Sequence, residues 1–342
     1  MIVSIGNALV DALQETEEDI IDKLDLNKSR MTLVDEERSH FLLSNMDSPT
    51  YAAGGSAANT AFWISQLGGE AGFIGKVSKD KLGEQFKLSL ANTNLKDYTV
   101  YGEEGVQTGL CAIFITPDGE RTMNTFLGAG EFLSRDEINR SSILDAEIVY
   151  LEGYLWDKPE SKEAFKRAAK LNTETNGKNA ITLSDVFCVD RHRKSFIEFI
   201  KDSIDYVFCN EDELKALTEL ESTKDAISYF KDNFKDVEQL ICTLGEKGSI
   251  VVSEGRELIY NAADANVVDK TGAGDFFAAG YLYGIQKKLS INDAAEIANK
   301  SAAHVISEIG VRPKKAVSYT HLRAHETLRY LGWRGRRVKK RG

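Results

Sequence analysis

Val267-Val268-Asp269-Lys270-Thr271-Gly272-Ala273-Gly274-Asp275-Phe276-Phe277-Ala278-Ala279-Gly280 is the stretch that decides how the chain folds. An apolar lead runs into a polar turn, then a tight Gly-Ala-Gly, then a helix rich in small residues. Gly-Ala-Gly at a helix start leaves backbone N–H groups uncovered, so an oxyanion can rest on them and on the positive helix end. Asp275 falls in that helix's first turn, close to any anion bound there. A carboxylate beside an anion is costly unless chemistry uses it. Phosphoryl transfer does, because a base must take the proton of the attacking hydroxyl. Simple capping of the helix by Asp275 accounts for the local pattern equally well.

Outward from this stretch, apolar runs alternate with amphipathic ones. Ile2–Ile5, Ala71–Gly75, Ile148–Leu151, Ala180–Leu183, Tyr206–Cys209 and Gln239–Thr243 read as buried strands. Ala57–Leu67, Lys81–Leu95, Ser161–Thr173, Arg193–Lys201 and Thr223–Phe234 have helical periodicity. The alternation predicts βαβ units, a mainly parallel sheet and helices on both faces. Leu9–Asp35 and Thr99–Phe126 break it with short alternating strands, including Gly109–Thr116 and Arg121–Phe126 around the turn Pro117-Asp118-Gly119. These segments predict a small, half-exposed sheet projecting as a lid. The expected organisation is one domain over 1–313, with lid segments at about 9–47 and 98–128.

The 342 residues are 42% hydrophobic and 28% charged, a globular composition that excludes disorder as the main state. No apolar run approaches a membrane span, and Asp11 interrupts the N-terminus before a signal peptide could form. A cytoplasmic protein is expected. Cys111, Cys188, Cys209 and Cys242 show no metal-knuckle spacing and read as reduced core thiols. Residues 314–342 hold ten Lys/Arg and one acid, which leaves 33 basic and 52 acidic residues before them, a net of −19. So acidic a body argues against nucleic acid as a partner. The tail reads either as a basic arm or, better, as a non-native or disordered appendage: SYTHLRAHET resembles translated sequencing-adapter read-through.

Two phosphate-loop patterns fail. Gly75-Lys76 lacks the leading Gly (Glu70) and the following Ser/Thr (Val77), and Gly272-Ala273-Gly274 has Phe277 where a dinucleotide fingerprint needs glycine. His40, His192 and His304 are far apart, and His321 and His325 are in the tail, so no metal cage is legible.

Asp269–Asp275, DKTGAGD, resembles the DTTGAGD signature of the ribokinase-like, or PfkB, kinases. Gly54–Asn59 is similar to that family's GGxxxN, Asn210–Glu213 to its NxxE, and Thr243–Gly248 to its TxGxxG. The motifs occur in family order and span the body from Ile2 to Pro313. GNALVD, PDGERTMNT, YLEGYLWD and LSDVFCVDRHR are most similar to bacterial adenosine-kinase-like members. The resemblance implies a three-layer α/β sandwich and an ATP- and Mg²⁺-dependent kinase acting on an alcohol, monomeric or homodimeric. Asp275 would be the base, with the N–H groups of Gly272, Ala273 and Gly274 as anion hole. Asn210 and Glu213 would organise Mg²⁺ through water, with a helix N-cap and its partner three residues on as the competing reading. Thr243, Gly245 and Gly248 would shape the ATP pocket, with a plain strand-turn-strand as the competing reading. Asn299 would approach the nucleotide base, with a helix-face amide as the alternative, and Arg121 would swing over the phosphates, with a solvated lid arginine as the alternative. Asp269 resembles a position that helps hold a monovalent cation such as K⁺ in some members. Lys270 departs from the family's second threonine.

For the acceptor, Asn7, Asp11, Gly54, Gly55 and Asn59 are the candidates, because a carboxylate with amides matches the donors and acceptors of a vicinal diol. Adenosine, giving AMP, is the expected acceptor. A ribose, fructose or related ketose is the alternative, and an inactive nucleotide-binding regulator is the remote one. The discriminating feature is an apolar shelf for a purine, for which Tyr154, Trp156, Phe62 and Phe126 are candidates.

Overall fold

A computed structural model describes residues 1–91, 93–308 and 310, and the basic tail lies outside the described residues. The chain opens with β1 (Ile2–Ile5), β2 (Leu9–Glu15), α1 (Asp19–Lys23), β3 (Met31–Leu33), α2 (Glu36–Ser44) and β4 (Thr50–Gly54). Next come α3 (Ser56–Gln66), β5 (Ala71–Ile74), β6 (Lys76–Val77), α4 (Lys81–Ala91), β7 (Lys96–Asp97) and β8 (Val100–Tyr101). The hairpin β9 (Thr108–Ile115) and β10 (Arg121–Gly128) leads to α5 (Arg140–Ile143) and β11 (Ile148–Glu152). There follow α6 (Pro159–Thr173), β12 (Lys178–Thr182), α7 (Val186–Ser203), β13 (Tyr206–Asn210), α8 (Glu211–Thr218) and α9 (Thr223–Asn233). The described chain closes with β14 (Gln239–Thr243), β15 (Ser249–Ser253), β16 (Arg256–Tyr260), α10 (Ala273–Gln286) and α11 (Ile291–Val305).

The main sheet has nine strands in the order β16-β15-β14-β13-β12-β11-β1-β5-β7. From β14 to β7 every pairing is parallel. β15 and β16 extend the β14 edge antiparallel, with β14 and β15 joined across the Thr243–Gly248 turn. The parallel strands carry unbroken apolar runs because both faces are covered. One face packs α3, α10 and α11 through Trp63, Phe276 and Tyr281, and the other packs α6, α7 and α9 through Trp156, Phe165, Phe196 and Phe230. Among the described residues, no helix is long and apolar enough to cross a membrane.

The second sheet, β3-β10-β9-β2-β4, corrects two expectations. It takes in β4, beyond the predicted lid boundary. Its central strand is also more buried than expected, with seven of the eight β9 residues buried, against two of seven in β2 and four of eight in β10. Side chains alternate along the strand. Leu110, Ala112 and Phe114 pack with Ala12, Ile21, Leu24 and Leu42 beneath α1 and α2, while Cys111 and Ile113 face a cavity. Helix α7 likewise starts at Val186, seven residues before the periodic stretch. Its N-cap Asp185 accepts from Cys188 N at 2.6 Å, which anchors a first turn of Val186, Phe187 and Val189 that propensity disfavours.

Candidate active site

A cavity of about 840 Å³ lies across the C-terminal ends of β1 and β11–β14, roofed by the inner face of the lid. Open α/β sheets bind ligands at that edge, because loops and helix N-termini converge there. Of the residues singled out in the sequence, Asn7, Asp11, Gly55, Asn59, Arg121, Asn210, Glu213, Thr243, Gly245, Asp269, Lys270 and the run Gly272–Asp275 line this one cavity.

Its floor is built where α3 and α10 begin side by side. Both starts need left-handed backbone, which glycine adopts without strain: φ is 96° at Gly55 and 80° at Gly272. Asp275 is pinned between them. The Ser56 hydroxyl donates to its Oδ1 at 2.6 Å and Asn59 Nδ2 to its Oδ2 at 3.1 Å. Burial outweighs these two bonds and pushes the Asp275 carboxyl up to about 6. Among the three anion-loop amides, Ala273 N–H makes a long turn bond of 3.3 Å to the Lys270 carbonyl. A base acts only when deprotonated, so kcat/KM is expected to fall as pH drops through about 6. A pH–rate profile checks this, and a rate unchanged between pH 7 and 5 contradicts it.

Glu152 went unrecognised in the sequence, where it is a lone acid ending the apolar run IVYLE. It is 1% exposed and lines the cavity. Its carboxylate accepts from Ala57 N at 2.7 Å, Asn7 Nδ2 at 2.8 Å and Asn7 N at 3.3 Å. Burial nevertheless raises it to about 7. Glu152 thereby fixes the α3 N-terminus and turns the Asn7 amide. Asn7 Oδ1 and Asn59 Oδ1 are buried and find no hydrogen-bond partner in the protein. With the Asp11 carboxylate on β2, they offer acceptors to a ligand rich in hydroxyl donors. Gly54 is behind this wall rather than in it: a Cβ there would lie 2.5 Å from Asp11 Oδ1, so glycine makes room for the carboxylate.

At the other end, Asn210 and Glu213 form a reciprocal cap. Asn210 Oδ1 accepts from Glu213 N at 2.8 Å, and Glu213 accepts from Asn210 N at 3.0 Å and Nδ2 at 2.6 Å. Glu213 is 5% exposed, and burial together with nearby Asp185 raises its carboxyl to about 7. A buried acid short of positive charge fits a divalent cation. No cluster of three or more ligating side chains exists among the described residues, so the metal would depend on ligands from bound phosphates. A further pair missed in the sequence, Asp157 and Arg191, meets at 3.1 Å on the cavity wall between the two ends.

Several assignments are corrected. Gly248 does not line the cavity; it turns the chain between β14 and β15, where a Cβ would lie 2.0 Å from the Tyr260 carbonyl. Asn299 also lies off the wall, its Nδ2 donating to Ser249 Oγ at 3.1 Å and Ala295 O at 2.9 Å. Of the aromatic candidates only Tyr154 lines the cavity. Trp156 is core, 4.7 Å from Phe199 between ring centroids. Asp269 faces N–H donors: the Arg121 guanidinium at 2.6 Å, Gly310 N at 2.9 Å and Thr271 N at 3.0 Å. Lys270 is exposed on the rim, where water screens its charge. Lys270→Thr is therefore expected to change turnover less than about tenfold, roughly 1.4 kcal/mol, in steady-state assays.

The sequence matches the pfkB family carbohydrate kinases over residues 28–316. The adenosine kinase structure from Sinorhizobium meliloti superposes with a TM-score of 0.86 at 35% identity, covering 95% of this chain and 98% of that one. A structure described as a probable sugar kinase protein from Rhizobium etli CFN 42 gives 0.87 at 33% identity, covering 96% and 98%. Fructokinase-1 of Zea mays is 28% identical over 241 residues, 69% of this chain and 74% of its own length. The chain belongs to the PfkB family and has the ribokinase-like α/β fold. It is a carbohydrate or nucleoside kinase of that family, which implies ATP as phosphoryl donor.

Proposed function

We propose that this kinase phosphorylates the primary hydroxyl of a ribonucleoside, converting adenosine to AMP. The observation that carries the reading is the composition of the lid's inner face. Leu9, Met31, Leu33, Ile113, Met123 and Leu127 line the cavity; the polar lining residues of the lid are Asp11 on β2, Arg121 and Thr125 on β10, and Asp118 and Glu120 at the β9–β10 turn. An apolar wall beside acceptors for a diol suits a ligand with one flat apolar end and one hydroxylated end. A free sugar exposes hydroxyls all round and would leave that wall unmatched. Similarity to the Sinorhizobium meliloti adenosine kinase supports the reading. Similarity to the maize fructokinase and the Rhizobium etli protein keeps a furanose or ketose as the second reading. Asp275 held between Ser56 and Asn59 counts against an inactive regulator.

The mechanism follows from the chain's own groups. Asp11, Asn7 and Asn59 hold the diol and aim the primary hydroxyl toward Asp275. As the hydroxyl oxygen bonds to the γ-phosphorus and the bond to the ADP oxygen breaks, the proton passes to the Asp275 carboxylate. The anion-loop amides and the α10 dipole stabilise the charge on the transferring group. Glu213 with Asn210 would hold a magnesium ion through water, and such an ion would supply neutralisation of the phosphates. ADP release from adenosine, inosine, ribose and fructose, each with and without Mg²⁺, tests the proposal. Adenosine should give the highest kcat/KM. Preference for a free sugar overturns the nucleoside assignment.

A further inference from the structure

We infer that the Asp269 carboxylate is a socket that docks the lid onto the anion loop through Arg121, and that it works without a bound monovalent cation. Arg121 opens β10 of the lid, whereas Asp269 precedes the anion loop. Arg121 Nη2 lies 2.6 Å from Asp269 Oδ2, the two side chains being 8% and 7% exposed. Gly310 N donates to the same oxygen at 2.9 Å, and Thr271 N to Oδ1 at 3.0 Å. The Val268 and Asp269 amides both donate to the Ile306 carbonyl, at 2.7 and 3.1 Å. One carboxylate thus joins three segments: the lid hairpin, the start of the anion loop and the chain beyond α11.

Among the described residues, the partners of the carboxylate oxygens are the Arg121 guanidinium and the Thr271 and Gly310 amides, all N–H donors. The guanidinium and two amides use three of the carboxylate's roughly four lone-pair sites, so a monovalent cation bound there would have to displace or share these donors. It would also meet the Arg121 charge at close range in a water-poor site, where like charges repel strongly. The same geometry has a thermodynamic consequence. The acceptor binds under the lid and the nucleotide binds on the anion loop, so a joint between lid and loop makes each ligand favour the other. The coupling is reciprocal. Arg121 and Asp269 are positioning residues in this scheme.

The inference rests on the family's kinase activity and not on adenosine as acceptor, so the test uses whichever acceptor the panel identifies. In the first arm, the wild type is assayed and thermally unfolded in KCl and in N-methylglucamine chloride at equal ionic strength. Rates differing by less than about threefold, with matching midpoints, are expected, because a ligand bound only to the folded state would raise the midpoint. Larger activation, or selective stabilisation by K⁺, overturns the inference. In the second arm, isothermal titration measures a non-hydrolysable ATP analogue with and without acceptor. The wild type should show at least about fivefold mutual tightening. Arg121→Ala and Asp269→Asn should each abolish most of it, and the double variant should lose no more than either single one. Undiminished coupling or additive losses overturn the inference. The wild-type salt arm decides even if Asp269→Asn does not fold.

Discussion

Asp275→Asn is expected to lower turnover by a factor of about 10² to 10⁴, the usual worth of a positioned general base. Asparagine keeps the size and shape of the side chain but cannot take the acceptor's proton. The site tolerates the change locally. The Ser56 hydroxyl can still donate to the new amide oxygen. Asn59 can turn its amide so that its unpartnered Oδ1 accepts from the new amide nitrogen. Nucleotide affinity should hold or improve, because the anion hole is backbone and a negative charge beside the phosphates is removed. The step near pH 6 in kcat/KM should disappear with the carboxylate. Stopped-assay rates and titration of an ATP analogue measure the two effects separately. Near-normal turnover would remove Asp275 from the chemistry.

Asp11→Ala should fail differently. A buried diol that loses a charged hydrogen-bond partner costs about 1.5–3 kcal/mol per bond, so acceptor affinity should drop roughly 10- to 150-fold. Turnover should fall as well, since a loosely held hydroxyl is poorly aligned for in-line attack. Asp11 lies on β2 opposite Cys111, between β9 and β4 of the lid sheet, and the absence of a Cβ at Gly54 makes room for it. Nucleotide binding, on the core side, should change little when measured without acceptor. Unchanged acceptor affinity in this variant would place the acceptor elsewhere in the cavity.

The core strands were legible because burial on both faces forces continuous apolar runs, and the boundaries of β1 and β14 read from sequence match the structure. The lid hairpin was legible from its period of two and its Pro117–Gly119 turn. Its burial was not, because the covering residues on α1 and α2 come from a separate, mostly polar stretch. The start of α7 escaped for a related reason: Val186, Phe187 and Val189 resemble a strand until the Asp185 cap is seen. At the site, short motifs placed Asp275, Asn59, Asn210 and Glu213 on one cavity. Glu152 carried no motif, only its position at a strand end. The Arg121–Asp269 pair joins distant parts of the chain, and no local pattern announces a partnership made by tertiary packing.

The cavity's two walls belong to different parts of the protein. The base, its two hydrogen-bond donors and the anion loop all come from the ends of α3 and α10, in the core. The surface facing the acceptor comes from alternate residues of the lid strands, whose other side chains form a separate packed layer under α1 and α2. Substitutions at Met31 and Met123, both partly exposed on the cavity face, are therefore expected to change the acceptor surface while leaving the layer behind them and the transfer machinery in place. Such an arrangement makes substrate range an evolvable trait, open to stepwise change by point substitution on one sheet face. It also makes the lid the place to begin when redirecting this scaffold to a new alcohol.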